Sequence, residues 1–142
     1  MIELLLERFP LPKSILIVED EILVAMDIER ILVDAGFEVT AIAADRETAL
    51  RYGHSVDIAF VDINLRDGRT GPAIACDLAK RGTKVFYVTA NPAQIDPVAG
   101  TAIGYIRKPF SEKAIIAAAR LSLAEGQGGA SGHSEITLFN AA

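Results

Sequence analysis

The chain has 142 residues, of which 51% are hydrophobic, with no Trp and a formal charge of −5. That length supports one domain whose core needs no disulfide or metal staple, and a single cysteine, Cys76, excludes an intramolecular disulfide and fits a reducing compartment. No Lys/Arg cluster exceeds two neighbours, which argues against a nucleic-acid groove.

The opening "MIELLLERFPLPK" carries Glu3, Glu7 and Arg8 and lacks the basic n-region of a signal peptide. Residues 1–12 are therefore read as an N-terminal extension. No run approaches the roughly 20 apolar residues of a membrane span, so a soluble, cytoplasmic protein with no membrane partner is expected.

Short runs rich in Val, Ile and Phe mark strands at 14–18, 38–42, 58–61, 84–88 and 102–106. Between the first two, "EILVAMDIERILVDAG" places Ile22, Met26, Ile28, Ile31, Leu32 and Ala35 on a broad stripe, with Gly36 as the stop. A second helix is expected over 45–52 with Asp45 as its cap, a third over 72–81 opening on Pro72, and a last over 112–124 behind a Ser111 cap. The link between the last two strands holds Pro92, Pro97 and Gly100, which leaves a helix there short or irregular. Strands apolar on both faces that alternate with helices belong to a doubly wound α/β sandwich with a parallel sheet. The domain is placed at 13–125, and the Gly/Ser-rich stretch 126–142 is read as a flexible tail.

In open parallel sheets, sites form beyond the carboxyl ends of the strands. "SILIVEDEILVA" puts Glu19 and Asp20 there, "IAFVDINLRDG" puts Asp62, "VFYVTAN" puts Thr89, and "GYIRKPF" puts Lys108. Three carboxylates at one sheet edge repel one another unless a cation or a lysine compensates. Oxygen-only donors suit a hard octahedral ion such as Mg²⁺, and a lysine with a hydroxyl donor completes a set that stabilises a transferring phosphoryl group.

This constellation resembles the receiver domain of two-component response regulators, over roughly residues 14–124 and at five separated positions in the family's order. The resemblance implies a (βα)5 flavodoxin-like sandwich with five parallel strands in the order 2-1-3-4-5. It implies that Asp62 accepts a phosphoryl group from a sensor histidine kinase or a histidine phosphotransfer protein. It further implies that Asp20, Asp62 and the Asn64 carbonyl bind Mg²⁺, with Glu19 acting through water. Lys108 would pair with the phosphoryl oxygens before a cis-prone Lys-Pro bond, and Thr89 and Tyr105 would be the switch pair. Tyr105 also reads as an ordinary half-buried strand aromatic, and Glu21 as a helix N-terminal charge. His54 and His133 lack ligand partners in spacing.

The chain departs from the family where Leu65-Arg66 replaces a hydrophobic-proline pair, which predicts a less rigid loop and an added charge beside the site. The leading expectation is a single-domain response regulator that signals through contact with a downstream protein or passes the phosphoryl group on. It is not an enzyme beyond its own Mg²⁺-dependent phosphorylation and dephosphorylation. The alternatives are a degenerate receiver that binds partners without phosphorylation and a small Asp-based phosphatase; the latter needs a second Asp where this chain has Asn64. A flavodoxin-type carrier would need a Ser/Thr/Gly-rich phosphate loop where this chain has "EDE".

Overall fold

The computed structural model describes residues 13–95, 102–123 and 134–139. The expected N-terminal extension, His133 and most of the tail lie outside them. The elements run β1 (Ser14–Val18), α1 (Ile22–Asp34), β2 (Glu38–Ala43), α2 (Arg46–Tyr52), β3 (Ile58–Val61), α3 (Gly71–Lys80), β4 (Lys84–Thr89), β5 (Gly104–Arg107), α4 (Glu112–Leu123) and β6 (Ile136–Leu138).

The sheet order is β2-β1-β3-β4-β5-β6. The first five strands pair in parallel in the expected order, and β6 adds to β5 in the antiparallel sense. A wholly parallel five-stranded sheet is therefore corrected to six strands. The expectation of a flexible tail fails for Ile136–Leu138, because a three-residue run of alternating burial finds an open strand edge to pair with.

The strand interiors are apolar on both faces because helices cover both. One layer packs Ile15, Ile17, Phe60, Phe86 and Ile106 against Ile28, Ile31 and Leu32 of α1 and Ala114, Ile115 and Ala118 of α4. The other packs Leu16, Val18, Val61 and Val85 against Ala49 of α2 and Ile74 and Leu78 of α3. The Phe60 and Phe86 rings stack with centroids 6.3 Å apart and planes 22° from parallel.

The α1 stripe differs from its expectation. Ala25, Ile28, Ile31 and Leu32 are buried, whereas Ile22 is 59% and Met26 52% exposed. At about 100° per residue, Met26 falls on the far side of the helix from Ile28. Together with Leu23 and Val33 it forms an apolar solvent face.

The helix caps follow the sequence: Asp45 accepts from the Thr48 amide at 2.9 Å, and Ser111 from the Ala114 amide at 3.1 Å. Between β4 and β5 the chain forms one 3-10 turn, Pro92–Gln94, in place of the first part of a fourth helix; residues 96–101 lie outside the described set. The Lys108-Pro109 bond is cis, as its sequence suggested.

Candidate functional site

Register brings the acidic residues together. β1 and β3 pair level from Ile15↔Ile58 to Val18↔Val61, so Glu19 and Asp62 are the next residues out on adjacent strands. The ladder continues past the strand ends, with the Asp62 amide donating to the Val18 carbonyl at 2.8 Å and the Glu19 amide to the Ala43 carbonyl at 2.8 Å. On the other side Thr89 pairs with Arg107, and the Lys108 amide donates to the Thr89 carbonyl at 2.9 Å. Three parallel connections thus fix the backbone from which four functional side chains project.

Lys108 bridges two carboxylates. Its Nζ lies 2.6 Å from Glu19 Oε1 and donates to Asp62 Oδ2 at 2.8 Å. The other oxygen of Asp62, Oδ1, accepts from the Ile63 amide at 2.7 Å. Glu19 and Asp62 are buried and Asp20 is exposed, so the cluster opens to solvent through Asp20. One ligand oxygen from each of the three lies within 4.8 Å of the others.

The electrostatics are those of a cluster short of positive charge. Burial pushes the Glu19 carboxyl up to about 7, opposed by Lys108 and the Glu21 amide and reinforced by Asp62. Burial works against the Lys108 ammonium, yet its bonds to Asp62 and Glu19 outweigh that and hold it above the ordinary lysine value. Glu19 Oε1 is buried with no aligned hydrogen bond, Lys108 meeting it as an ion pair. Three carboxylates, two of them buried, gathered beside one ammonium fit a divalent cation with oxygen ligands.

The remaining expected residues make their side-chain contacts outside the carboxylate–lysine cluster. Thr89 is fully buried at the end of β4, and its Oγ1 accepts from the Asn91 amide at 3.0 Å. The Asn64 side chain is exposed and donates to Gln94 at 2.9 Å, tying the loop after β3 to the 3-10 turn. Tyr105 is half-buried, its ring 5.8 Å from that of Phe139.

The loop after Asp62 is firmer than its sequence suggested. Leu65 and Gly68 exchange backbone hydrogen bonds at 2.8 and 3.0 Å. Asp67 accepts from the Arg46 amide at 3.1 Å and from Thr70 Oγ1 at 2.6 Å. Arg66 brings the expected charge near the site, where Asp20 is among the carboxylates acting on it, and its guanidinium pairs with Asp45. The Thr48 amide and then Arg66 hold the Asp45 carboxyl down at about 2.

Sequence reasoning missed Gly71. A Cβ there would sit 2.1 Å from the Asp62 carbonyl oxygen and 2.6 Å from Ile63 Cα, so only glycine lets α3 begin against the backbone after β3. The Gly71 amide also donates to the Ile63 carbonyl at 3.0 Å. The one available signal was the Gly-Pro pair opening a helix nine residues after Asp62.

Comparison with known proteins agrees with this geometry. Residues 15–120 match the family model described as the response regulator receiver domain. The sensory transduction protein RegX3 of Mycolicibacterium smegmatis is 34% identical over 118 residues, covering 80% of this chain and 51% of that protein. The transcriptional regulatory protein PdtaR of Mycobacterium tuberculosis is 31% identical over 119 residues, covering 79% and 57%. The chain thus spans about half the length of the curated relatives it matches.

Among solved structures, a CheY-like receiver domain protein from Methanospirillum hungatei JF-1 superposes with a TM-score of 0.71 at 26% identity, covering 79% of this chain and 94% of that one. The PhyR receiver domain from Erythrobacter litoralis does so with a TM-score of 0.68 at 25% identity, covering 79% and 90%. With its carboxylate cluster, bridging lysine and doubly wound sheet, the chain belongs to the response regulator receiver domain family.

Proposed function

We propose that Asp62 accepts a phosphoryl group from a phosphohistidine, and that the resulting acyl phosphate changes the surface offered to a protein partner. The observation that carries this reading is the Lys108 ammonium held between Glu19 and Asp62 at the ends of β1 and β3. An Asp62 oxygen forms the new O–P bond as the donor's N–P bond breaks, and the electron pair leaves on the imidazole nitrogen. Lys108, already hydrogen-bonded to Asp62, stays beside the incoming phosphoryl oxygens and offsets their charge.

The donor set assigned to Mg²⁺ is Asp20, Asp62 and the Asn64 carbonyl, with Glu19 acting through water. Bound there, the ion neutralises carboxylate repulsion and phosphoryl charge. Thr89 exchanges its bond from the Asn91 amide for one to a phosphoryl oxygen, which frees the start of the Pro92–Gln94 turn.

The phosphodonor is a histidine kinase or phosphotransfer protein. In support, α1 starts two residues after Asp20 and carries the exposed apolar side chains Ile22, Leu23 and Met26 at the rim of the site. The chemistry is self-directed, so the protein acts as a switch rather than as an enzyme on other substrates. No helix among the described residues is long and apolar enough to cross a membrane.

Incubation with phosphoramidate and Mg²⁺ followed by intact-mass measurement tests the reading. One phosphoryl mass is expected in the wild type and none in Asp62→Asn. A mass gain that persists in that variant contradicts it.

A further inference from the structure

We propose that the outer edge of β5 is a docking slot for an extended peptide, that residues 134–139 are its built-in occupant, and that a strand of similar chemistry from a protein partner displaces them. The inference does not depend on phosphorylation of Asp62.

The slot is defined by what fills it. β6 pairs with β5 through Ile106↔Ile136, Tyr105↔Thr137 and Gly104↔Leu138, and the Phe139 amide donates to the Ile103 carbonyl at 2.9 Å. Ile136 and Leu138 turn to one face and pack on the core shared by α1 and α4, while Thr137 is exposed. Phe139 packs on the opposite layer, against Tyr105. Ahead of the strand, Ser111 Oγ donates to the Glu135 carboxylate. Backbone pairing with side-chain sites at alternate positions is the mode in which sheet edges take peptides.

Two features mark the edge as shaped for an incoming strand. A Cβ on Gly104 would lie 2.2 Å from the Thr137 carbonyl oxygen, so the close approach depends on the absence of a side chain at that position. A cavity of about 330 Å³ lined by Tyr105, Arg107, Lys108, Glu135 and Thr137 adjoins the bound strand. The occupant therefore shares a wall with the lysine of the acceptor site.

The occupant is also suited to exchange. It pairs over three residues, well short of an independently stable strand unit. It is joined to α4 by residues 124–133, "AEGQGGASGH", which include four glycines. A short glycine-rich connection holds a segment at an effective concentration on the order of millimolar, which a micromolar partner overcomes only with better contacts. The partner that fits is an extended segment with a carboxylate followed by apolar residues at alternate positions.

The test uses the full chain and a fluorescent peptide of residues 134–139, SEITLF. In the variant Ile136→Asp/Leu138→Asp the slot is emptied while β5 is unchanged. That variant is expected to bind the peptide at least about 10-fold more tightly than the wild type does. Adding Gly104→Val should abolish the binding. An Ile136→Asp/Leu138→Asp variant that keeps its far-UV circular dichroism yet binds no peptide overturns the proposal, as does peptide binding indifferent to the added Gly104→Val. Amide exchange in the wild type gives an independent readout: Ile136–Leu138 and the edge of β5 should open well before β4. Equal protection of β4, β5 and β6 would make the tail a permanent strand and overturn the proposal. A concentration-dependent dimer in which tails exchange between copies would assign the slot to a second copy and overturn it as well.

Discussion

The β1–β3 centre of the sheet and its β5–β6 border are built from the same kind of backbone but are held in place differently. In the centre every residue of Ile15–Val18 and Ile58–Val61 is at most 1% exposed, each strand has a neighbour on both sides, and helices cover both faces. Strand register there is held from two sides, and the carboxylates that follow inherit its precision. At the border, Tyr105 is half-buried, Arg107 is exposed, and the final strand holds by three residues and a few side chains. Charge shows the same contrast: crowded where the Lys108 ammonium reaches from the end of β5 to the buried Glu19 and Asp62, exposed around Glu135 at the border. A chemical centre needs the first kind of support, while a surface that changes partners needs the second.

The largest expected effect breaks the centre. Phe60→Ala should cost about 4 kcal/mol in urea unfolding, because a fully buried ring stacked on Phe86 leaves a cavity. Phe139→Ala, at the half-buried border, should stay within about 1 kcal/mol. Similar costs for the two would erase the distinction.

Lys108→Met comes next. It leaves Glu19 and Asp62 without their shared cation, at a cost on the order of 3 kcal/mol in metal-free buffer at pH 8. The cost should shrink at pH 6, where Glu19 takes up a proton.

A pH profile sharpens the point. Because the folded-state value of Glu19 is raised from 4.5 to about 7, the folded protein holds a proton that the unfolded chain has released. Its stabilising contribution is complete below pH 4.5 and is lost as pH rises through 7. Metal-free protein should therefore lose stability across that window, Glu19→Gln should flatten the loss, and Mg²⁺ should oppose it. A profile unchanged in Glu19→Gln would place the proton elsewhere.

The smallest effect is at Asp45. Its carboxyl is held at about 2, so its contribution is present above the ordinary carboxylate range and fades as pH falls toward that value. Asp45→Ala should lower the melting temperature slightly at neutral pH and match the wild type in strong acid.

The same contrast explains which parts were legible. β1 and β3 were readable to the residue, because a buried parallel strand is a continuous apolar run that charge ends abruptly. Glu19, Asp20, Asp62 and Lys108 followed, since a strand's end fixes where the next side chain lies. β6 was not readable: Ile136–Leu138 is too short to declare a strand, and its partner lies some thirty residues earlier in the chain. Ile22 and Met26 looked like core because a broad stripe does not reveal its centre, which packing against α4 and the sheet decides. Gly71 and Gly104 are informative only once a neighbouring backbone is known to approach them. The Arg66–Asp45 pair likewise joins residues that no local spacing relates.

Of the three clustered carboxylates, Asp62 is expected to carry the phosphoryl group, and neither Glu19 nor Asp20. Borohydride reduces an acyl phosphate to the alcohol, leaving homoserine where an aspartyl phosphate stood. After incubation with phosphoramidate and Mg²⁺, borohydride treatment and peptide sequencing by tandem mass spectrometry should find homoserine at position 62, with Glu19 and Asp20 unchanged. Reduction at position 19 or 20 instead, or a phosphorylated protein with position 62 intact, would contradict the account.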